Sequence, residues 1–183
     1  MTKSCCVRLL LFIVFINYQV QARTKSYFDS DDTSYSYSVT IHTSQYNCID
    51  LSNHLYIPES FRQLSPLADS ISITRIDTLS QIVEVYFSKW LYRGYSRYSR
   101  VLSPGKFLSV NLLKFEHNWS AIPRVKTASI QYDFHSGDDG CTVRYHQRVT
   151  ADRKIGIVYR KMIQLQMDIF ARNLETLIRR AGK

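Results

Sequence analysis

The chain has 183 residues, 24 of them Lys or Arg and 15 Asp or Glu, which gives a formal net charge of +9 at pH 7. This length suits one domain, and the absence of an internal repeat in the sequence argues against a repeat architecture. The positive charge favours anionic partners such as phospholipid headgroups, anionic glycans or nucleic acid, without selecting among them.

The N-terminal residues predict export. A short basic start with Lys3 and Arg8 precedes the apolar run 9–18, and small residues end at Ala22. This is the three-part pattern of a secretory signal peptide, and the apolar run is too short to span a bilayer well. We therefore expect a cleaved signal peptide at 1–22 and a secreted or periplasmic protein. An uncleaved membrane anchor is the weaker alternative.

The segment 23–34 is polar and lacks periodicity, so we expect a flexible leader before a domain at 35–183. Signal cleavage leaves two cysteines, Cys48 and Cys141. In an oxidising compartment such a pair is a disulfide candidate. A metal site is not indicated, because no Cys-x-x-Cys or paired-histidine spacing accompanies the two cysteines.

The following residues predict strands with a helical interruption. Residues 34–42 alternate between apolar and polar side chains, as in a strand with one buried face. Residues 48–70 break this alternation, and Pro58 and Pro66 are typical of the start and end of short helices. Six further strands are expected at the spacing of an antiparallel meander: 70–77, 81–92, 95–103, 106–114, 125–134 and 141–150. Arg93-Gly94 is interpreted as a hairpin tip.

The C-terminal part changes to a helical period. The predicted helix begins after Asp152, a candidate N-cap, and continues to Arg180. One apolar stripe runs from Tyr159 to Leu177, and a second, from Ile155 to Ile169, lies beside it. Together the stripes form a broad apolar face that suits a helix lying across a sheet.

This order of elements resembles the helix-grip fold of the START/Bet v 1-like (SRPBCC) superfamily, including its cyclase/dehydrase-like and Coq10-like members. The resemblance covers about residues 35–181. Residues 57–77 (IPESFRQLSPLADSISITRID) are similar to that family's helical insert and second strand, and residues 118–149 to its last two strands. It implies an α+β fold in which about seven antiparallel strands, with a short helical insert after the first, wrap around the long C-terminal helix.

The resemblance also implies a site. Members of the superfamily bind lipids, sterols or polyketides in a cavity between the sheet and the long helix, and they share no universal catalytic residue. The implied ligand-binding residues are Tyr37, Val85, Phe87, Val110, Ile130, Tyr132, Tyr145, Gln147, Met167 and Phe170. The implied cavity rim is Trp90, Tyr92, Arg93 and Tyr95. In this fold the first and last strands pair, which implies a bond between Cys48 and Cys141.

We therefore expect a monomeric domain that binds a hydrophobic or lipid-like small molecule, without a cofactor or metal and without clear catalysis. An anionic membrane surface is a further candidate partner, which Arg93 would contact. A cyclase or dehydratase using the same cavity remains an alternative, although no G-x-S-x-G, H-E-x-x-H or phosphate-binding glycine loop is present. A binder of anionic glycans or nucleic acid is another alternative, based on the basic and aromatic residues 89–100. Strand alternation would divide those residues between two faces, which makes nucleic acid an unlikely partner. A core filled by side chains, with no ligand, is the simplest alternative.

Overall fold

The computed structural model describes residues 26–65, 68–89 and 92–180. Its strands are β1 (Ser26–Ser30), β2 (Ser34–Thr43), β3 (Ser70–Arg75), β4 (Ser80–Lys89), β5 (Tyr92–Ser103), β6 (Phe107–His117), β7 (Val125–Gly137) and β8 (Gly140–Ala151). Its helices are α1 (Cys48–Tyr56), α2 (Pro58–Leu64) and α3 (Ile157–Arg180). All eight described strands form one antiparallel sheet in the order β1-β2-β8-β7-β6-β5-β4-β3. The predicted α+β helix-grip architecture is confirmed, with one strand more than expected.

The additional strand, β1, corrects part of the predicted leader at 23–34. It pairs with β2 through a tight turn, in which the Asp31 carboxylate accepts hydrogen bonds from the backbone N–H groups of Thr33 and Ser34. Aspartate favours such turns because its short side chain reaches the backbone two or three residues ahead. The edge position of β1 leaves most of its side chains exposed, so the sequence lacks a buried-face signal. The predicted signal peptide at 1–22 lies outside the described residues.

The inner face of the sheet forms the core with the helices. Tyr37 and Val39 of β2 are buried and pair across the strands with Gln147 and Tyr145 of β8. Their alternation with exposed polar residues is the pattern that predicted this strand. The C-terminal half of α3 packs on this side through residues that include the fully buried Leu174.

Helix α3 begins four residues later than predicted. Its first residue, Ile157, follows Gly156, and glycine is unfavourable inside a helix. Asp152 is not an N-cap, because its carboxylate accepts a hydrogen bond from the backbone N–H of Arg124 at 2.9 Å. The chain therefore passes from β8 into α3 through a short linker.

The apolar face that α3 packs onto the domain is narrower than predicted. In the N-terminal half of the helix, Val158, Met162 and Leu165 are 70%, 55% and 45% exposed. These residues belong to the second predicted stripe, which is only partly used for packing. Among the described residues, no helix combines the length and the apolar character needed to cross a membrane.

Cys48 and Cys141 form the expected disulfide, with Cα atoms 5.1 Å apart. The bond joins the first residue of α1 to the start of β8, where Thr43 pairs with Cys141 across the strands. It therefore fixes the helical insert to the start of β8, an interior strand between β2 and β7.

The β4–β5 hairpin differs from the prediction. The two strands pair as far as Lys89 and Tyr92, and Gly94 lies opposite Phe87. Arg93-Gly94 is therefore inside β5 and not at the hairpin tip. The connecting residues 90–91 lie outside the described residues.

Candidate functional site

A cavity of about 160 Å³ lies between the inner face of the sheet and helices α2 and α3. Strands β4 to β8 all contribute to its wall, so it occupies the concave centre of the sheet. The lining residues are Phe61, Leu64, Ser65, Val85, Phe87, Tyr98, Arg100, Val110, Ile130, Tyr132, Tyr145, Gln147 and Phe170. Most of this surface is apolar, as in small-molecule sites generally.

The structure brings most of the predicted ligand-binding residues together around this cavity. The eight that line it are Val85, Phe87, Val110, Ile130, Tyr132, Tyr145, Gln147 and Phe170. Tyr37 does not line it: the residue is buried beside Tyr145, and its hydroxyl donates to Oδ1 of Asp168 on α3 at 3.3 Å. Tyr37 therefore joins the sheet to the helix.

Met167 lines a second cavity, of about 170 Å³, at the junction of α2 and α3. Leu64, Ser65, Phe87 and Phe170 line both cavities, so the two are neighbours that share a wall. Their two volumes together reach the lower end of the range of about 300–1,000 Å³ that small-molecule pockets usually have.

Tyrosines and a glutamine form a hydrogen-bonded wall of the first cavity. The Tyr145 hydroxyl donates to Oε1 of Gln147, and Nε2 of Gln147 donates to the Tyr35 hydroxyl at 3.4 Å. The Tyr145 ring also contacts Tyr132 edge to face, with centroids 5.0 Å apart, and Phe170 at 4.8 Å. Burial raises the pKa of Tyr132 and of Tyr145, so both phenols are neutral at physiological pH. Because of its hydrogen bonds with Tyr145 and Tyr35, both polar atoms of the Gln147 side chain already have partners within the protein.

Arg100 is the one charged residue among the described residues that line the cavity, and it was not among the predicted site residues. Its side chain is 2% exposed, and its Nη1 and Nη2 atoms donate to the carbonyl oxygens of Tyr56 and Leu55 at 3.2 and 2.8 Å. Those carbonyls belong to the C-terminal end of α1. Desolvation lowers the pKa of Arg100 to about 10, so the guanidinium stays charged at neutral pH.

The alternation of side chains along β5 could have predicted that Arg100 lies on the inner face of the sheet. Tyr98, Arg100 and Leu102 follow one another at a spacing of two residues on β5, and Leu102 is buried. Arg97 has the opposite parity: it is half-exposed and lies 3.7 Å from the carboxylate of Glu84. The segment 89–100 is therefore not one basic surface, because its last arginine points into the domain.

Of the four predicted rim residues, the structure places the side chains of two, Arg93 and Tyr95, and neither lines the cavity. The Tyr95 ring lies against the Tyr86 ring in a tilted arrangement, with centroids 4.9 Å apart, and its hydroxyl donates to Glu84 at 2.7 Å on the outer face of the sheet. Arg93 and Tyr95 line a separate open groove on that side and do not line the described cavity. Trp90 and the side chain of Tyr92 lie outside the described residues.

No family model and no curated protein matches this sequence. Solved structures do resemble it. The di-domain ARO/CYC StfQ from the steffimycin biosynthetic pathway is 12% identical with a TM-score of 0.63, over 83% of this chain and 54% of that one. The Zhui aromatase/cyclase from Streptomyces sp. R1128 is 10% identical with a TM-score of 0.56, over 87% and 94%. Ara h 8.0201 is 11% identical with a TM-score of 0.57, over 79% and 97%.

The chain thus spans about half the length of the di-domain protein and nearly all of the two single-domain ones. At these identities the likeness shows the fold alone. It confirms the helix-grip fold of START/Bet v 1-like proteins, which the sequence predicted.

Proposed function

We propose that this protein binds a small, largely apolar molecule in the cavity between the sheet and helices α2 and α3. The observation that carries the proposal is the cavity itself, which lies at the concave centre of the sheet with mostly apolar walls. Protein interiors are close-packed, with few voids larger than a water molecule. A cavity of about 160 Å³ is therefore an exception to normal packing that a bound ligand would explain.

The volume of the cavity limits the size of the ligand. A cavity of about 160 Å³ is of the order of the engineered protein cavity of about 150 Å³ that accommodates benzene. We therefore infer a compact ligand of one aromatic ring or a comparable aliphatic group. A sterol or a long-chain lipid requires the neighbouring cavity at Met167 as well.

We further propose that the protein works in an oxidising compartment outside the cytosol. Support comes from the signal-peptide pattern at 1–22 and from the Cys48–Cys141 disulfide, because such bonds persist mainly in exported proteins. N-terminal sequencing of the protein recovered from its natural source tests this proposal. A mature N-terminus near Arg23 is expected, and an intact Met1 in a cytosolic fraction would contradict it.

Binding is tested with a variant that fills the cavity. Val110 on β6 lines the cavity and is buried, whereas Val101 on the adjacent strand is 41% exposed and lies outside it. We expect Val110→Phe to reduce affinity for propylbenzene at least tenfold and Val101→Phe to leave it unchanged. Ligand-observed NMR measures the affinities, and native mass spectrometry of the wild-type protein looks for a co-purified ligand.

Two results would contradict the binding proposal. One is equal affinity of the Val110→Phe and wild-type proteins for propylbenzene, since the ring would then bind elsewhere. The other is no binding by the wild-type protein of propylbenzene or of the three polar probes named below, together with no co-purified molecule. The cavity would then be a packing feature of a core without a ligand.

A further inference from the structure

We propose that the cavity ligand carries a carboxylate, which the guanidinium of Arg100 binds at the inner end of the cavity. The inference rests on the proposed binding function and adds the chemical class of the ligand. It begins from one observation: a cation that is 98% buried lines a cavity with mostly apolar walls.

The contacts of Arg100 leave part of its charge unbalanced. Among the described residues, its two Nη atoms reach only neutral carbonyl oxygens, at the end of a nine-residue helix. A helix C-terminus carries only about half a negative charge, so it does not balance the full positive charge of the guanidinium. The rings of Tyr56 and Phe61 lie 5.3 and 5.0 Å from the guanidinium carbon and add a weak cation–π attraction.

No carboxylate completes the site from within the described protein. No Asp or Glu is among the described residues that line the cavity, and none of the ion pairs of the described residues involves Arg100. The Nε atom of Arg100 is buried and has no hydrogen-bond partner among the described residues. Buried charges are normally paired, and buried N–H groups are normally hydrogen-bonded. Both requirements point to an anionic acceptor that enters with the ligand.

The number of cations and the space available favour a carboxylate over a phosphate. Arg100 is the one Lys or Arg among the described residues that line the cavity, and a single cation balances a single negative charge. A phosphate monoester has a charge of about −1.5 to −2 at pH 7 and would remain undercompensated. A guanidinium matches the planar carboxylate with charge-assisted hydrogen bonds. The structure therefore assigns the cavity to a compact aromatic or branched aliphatic acid.

The test compares probes of the same shape on the full wild-type protein. We choose 3-phenylpropanoate, its neutral amide 3-phenylpropanamide, and phenethyl phosphate, and measure dissociation constants at pH 7.5 by isothermal titration calorimetry. Hydrogen bonds to charged groups contribute about 10- to 100-fold in affinity. We expect the carboxylate to bind at least tenfold more tightly than the amide, and more tightly than the phosphate.

Two variants test whether Arg100 causes the preference for the carboxylate over the amide. Arg100→Gln removes the charge and is expected to abolish the preference for the carboxylate over the amide. Arg97→Gln, on the outer face of the same strand, serves as the matched control and keeps the preference. Because Arg100 also holds the end of α1, the Gln variant is informative only if its circular dichroism matches that of the wild type. If it does not fold, the wild-type comparison of carboxylate and amide decides the question alone.

The outcomes separate the two proposals. If propylbenzene binds but the carboxylate binds no tighter than the amide, the carboxylate inference is overturned and the binding function stands. Tighter binding of the phosphate than of the carboxylate overturns the inference in the same way. If neither propylbenzene nor any of the three polar probes binds, the binding function itself fails, and the carboxylate inference with it.

Discussion

Replacing Gly140 by alanine adds a single methyl group but should strongly destabilise this fold. Gly140 begins β8, directly before the disulfide at Cys141, and its φ angle is +138°. A Cβ atom at this position would lie 2.1 Å from the carbonyl oxygen of Thr43 and 2.7 Å from the Cα atom of Ser44. Both neighbours are backbone atoms, so no side-chain rotation relieves the contact. We therefore predict that Gly140→Ala strongly destabilises the protein.

The expected cost has two parts. A non-glycine residue at such a φ angle costs about 1–3 kcal/mol in backbone strain. Forcing an additional methyl group into a packed site costs typically about 1–3 kcal/mol more. We expect Gly140→Ala to lower the free energy of unfolding by about 2–6 kcal/mol, measured by urea denaturation followed by circular dichroism with an unchanged m-value.

Gly137, on the opposite strand of the same hairpin, is the matched control. It pairs directly with Gly140, but a Cβ atom there would have only ordinary contacts, the nearest being Oδ1 of Asp139 at 3.5 Å. We expect Gly137→Ala to change the free energy of unfolding by less than about 1 kcal/mol. If the two variants differ by less than 1 kcal/mol, the close approach of β8 to the end of β2 is not as described, and this reasoning is refuted.

Three further predictions concern the disulfide, a half-buried histidine and the cavity wall. Replacing Cys48 and Cys141 together by Ala should lower the free energy of unfolding by about 2–5 kcal/mol in denaturant titrations; an unchanged midpoint would exclude a bonded pair. Burial lowers the pKa of His54 below its ordinary value of 6.5, so the unfolded state binds a proton at this residue more readily than the folded state does. The free energy of unfolding should therefore decrease as the pH drops below 6.5, and it should decrease less in His54→Asn. Parallel pH profiles of the two proteins would refute this. Tyr145→Phe removes the donor to Gln147 and should cost about 1–3 kcal/mol in urea denaturation; a change below 0.5 kcal/mol would contradict it.

Period-2 alternation explains why much of the fold could be predicted from the sequence. In β8, Val143, Tyr145 and Val149 alternate with exposed polar residues, and the structure buries all three. The absence or interruption of such a pattern explains two errors, the missed strand β1 and the late start of α3. An edge strand such as β1 has no buried face to produce alternation, and the Gly156 that delays α3 lies inside an otherwise helical pattern.

The site was harder to predict than the fold, because its chemistry depends on contacts between distant segments. Alternation places Arg100 on the inner face of β5, but the sequence does not show that the end of α1, more than forty residues earlier, supplies its hydrogen-bond acceptors. An inward arginine is normally explained by a paired carboxylate, and that partner is absent among the described residues that line the cavity. The carbonyl groups of α1 explain how the guanidinium is held in place. They do not balance its full positive charge, and its Nε atom has no hydrogen-bond partner among the described residues. Those two features support the proposal that Arg100 binds a ligand and does not only cap a helix.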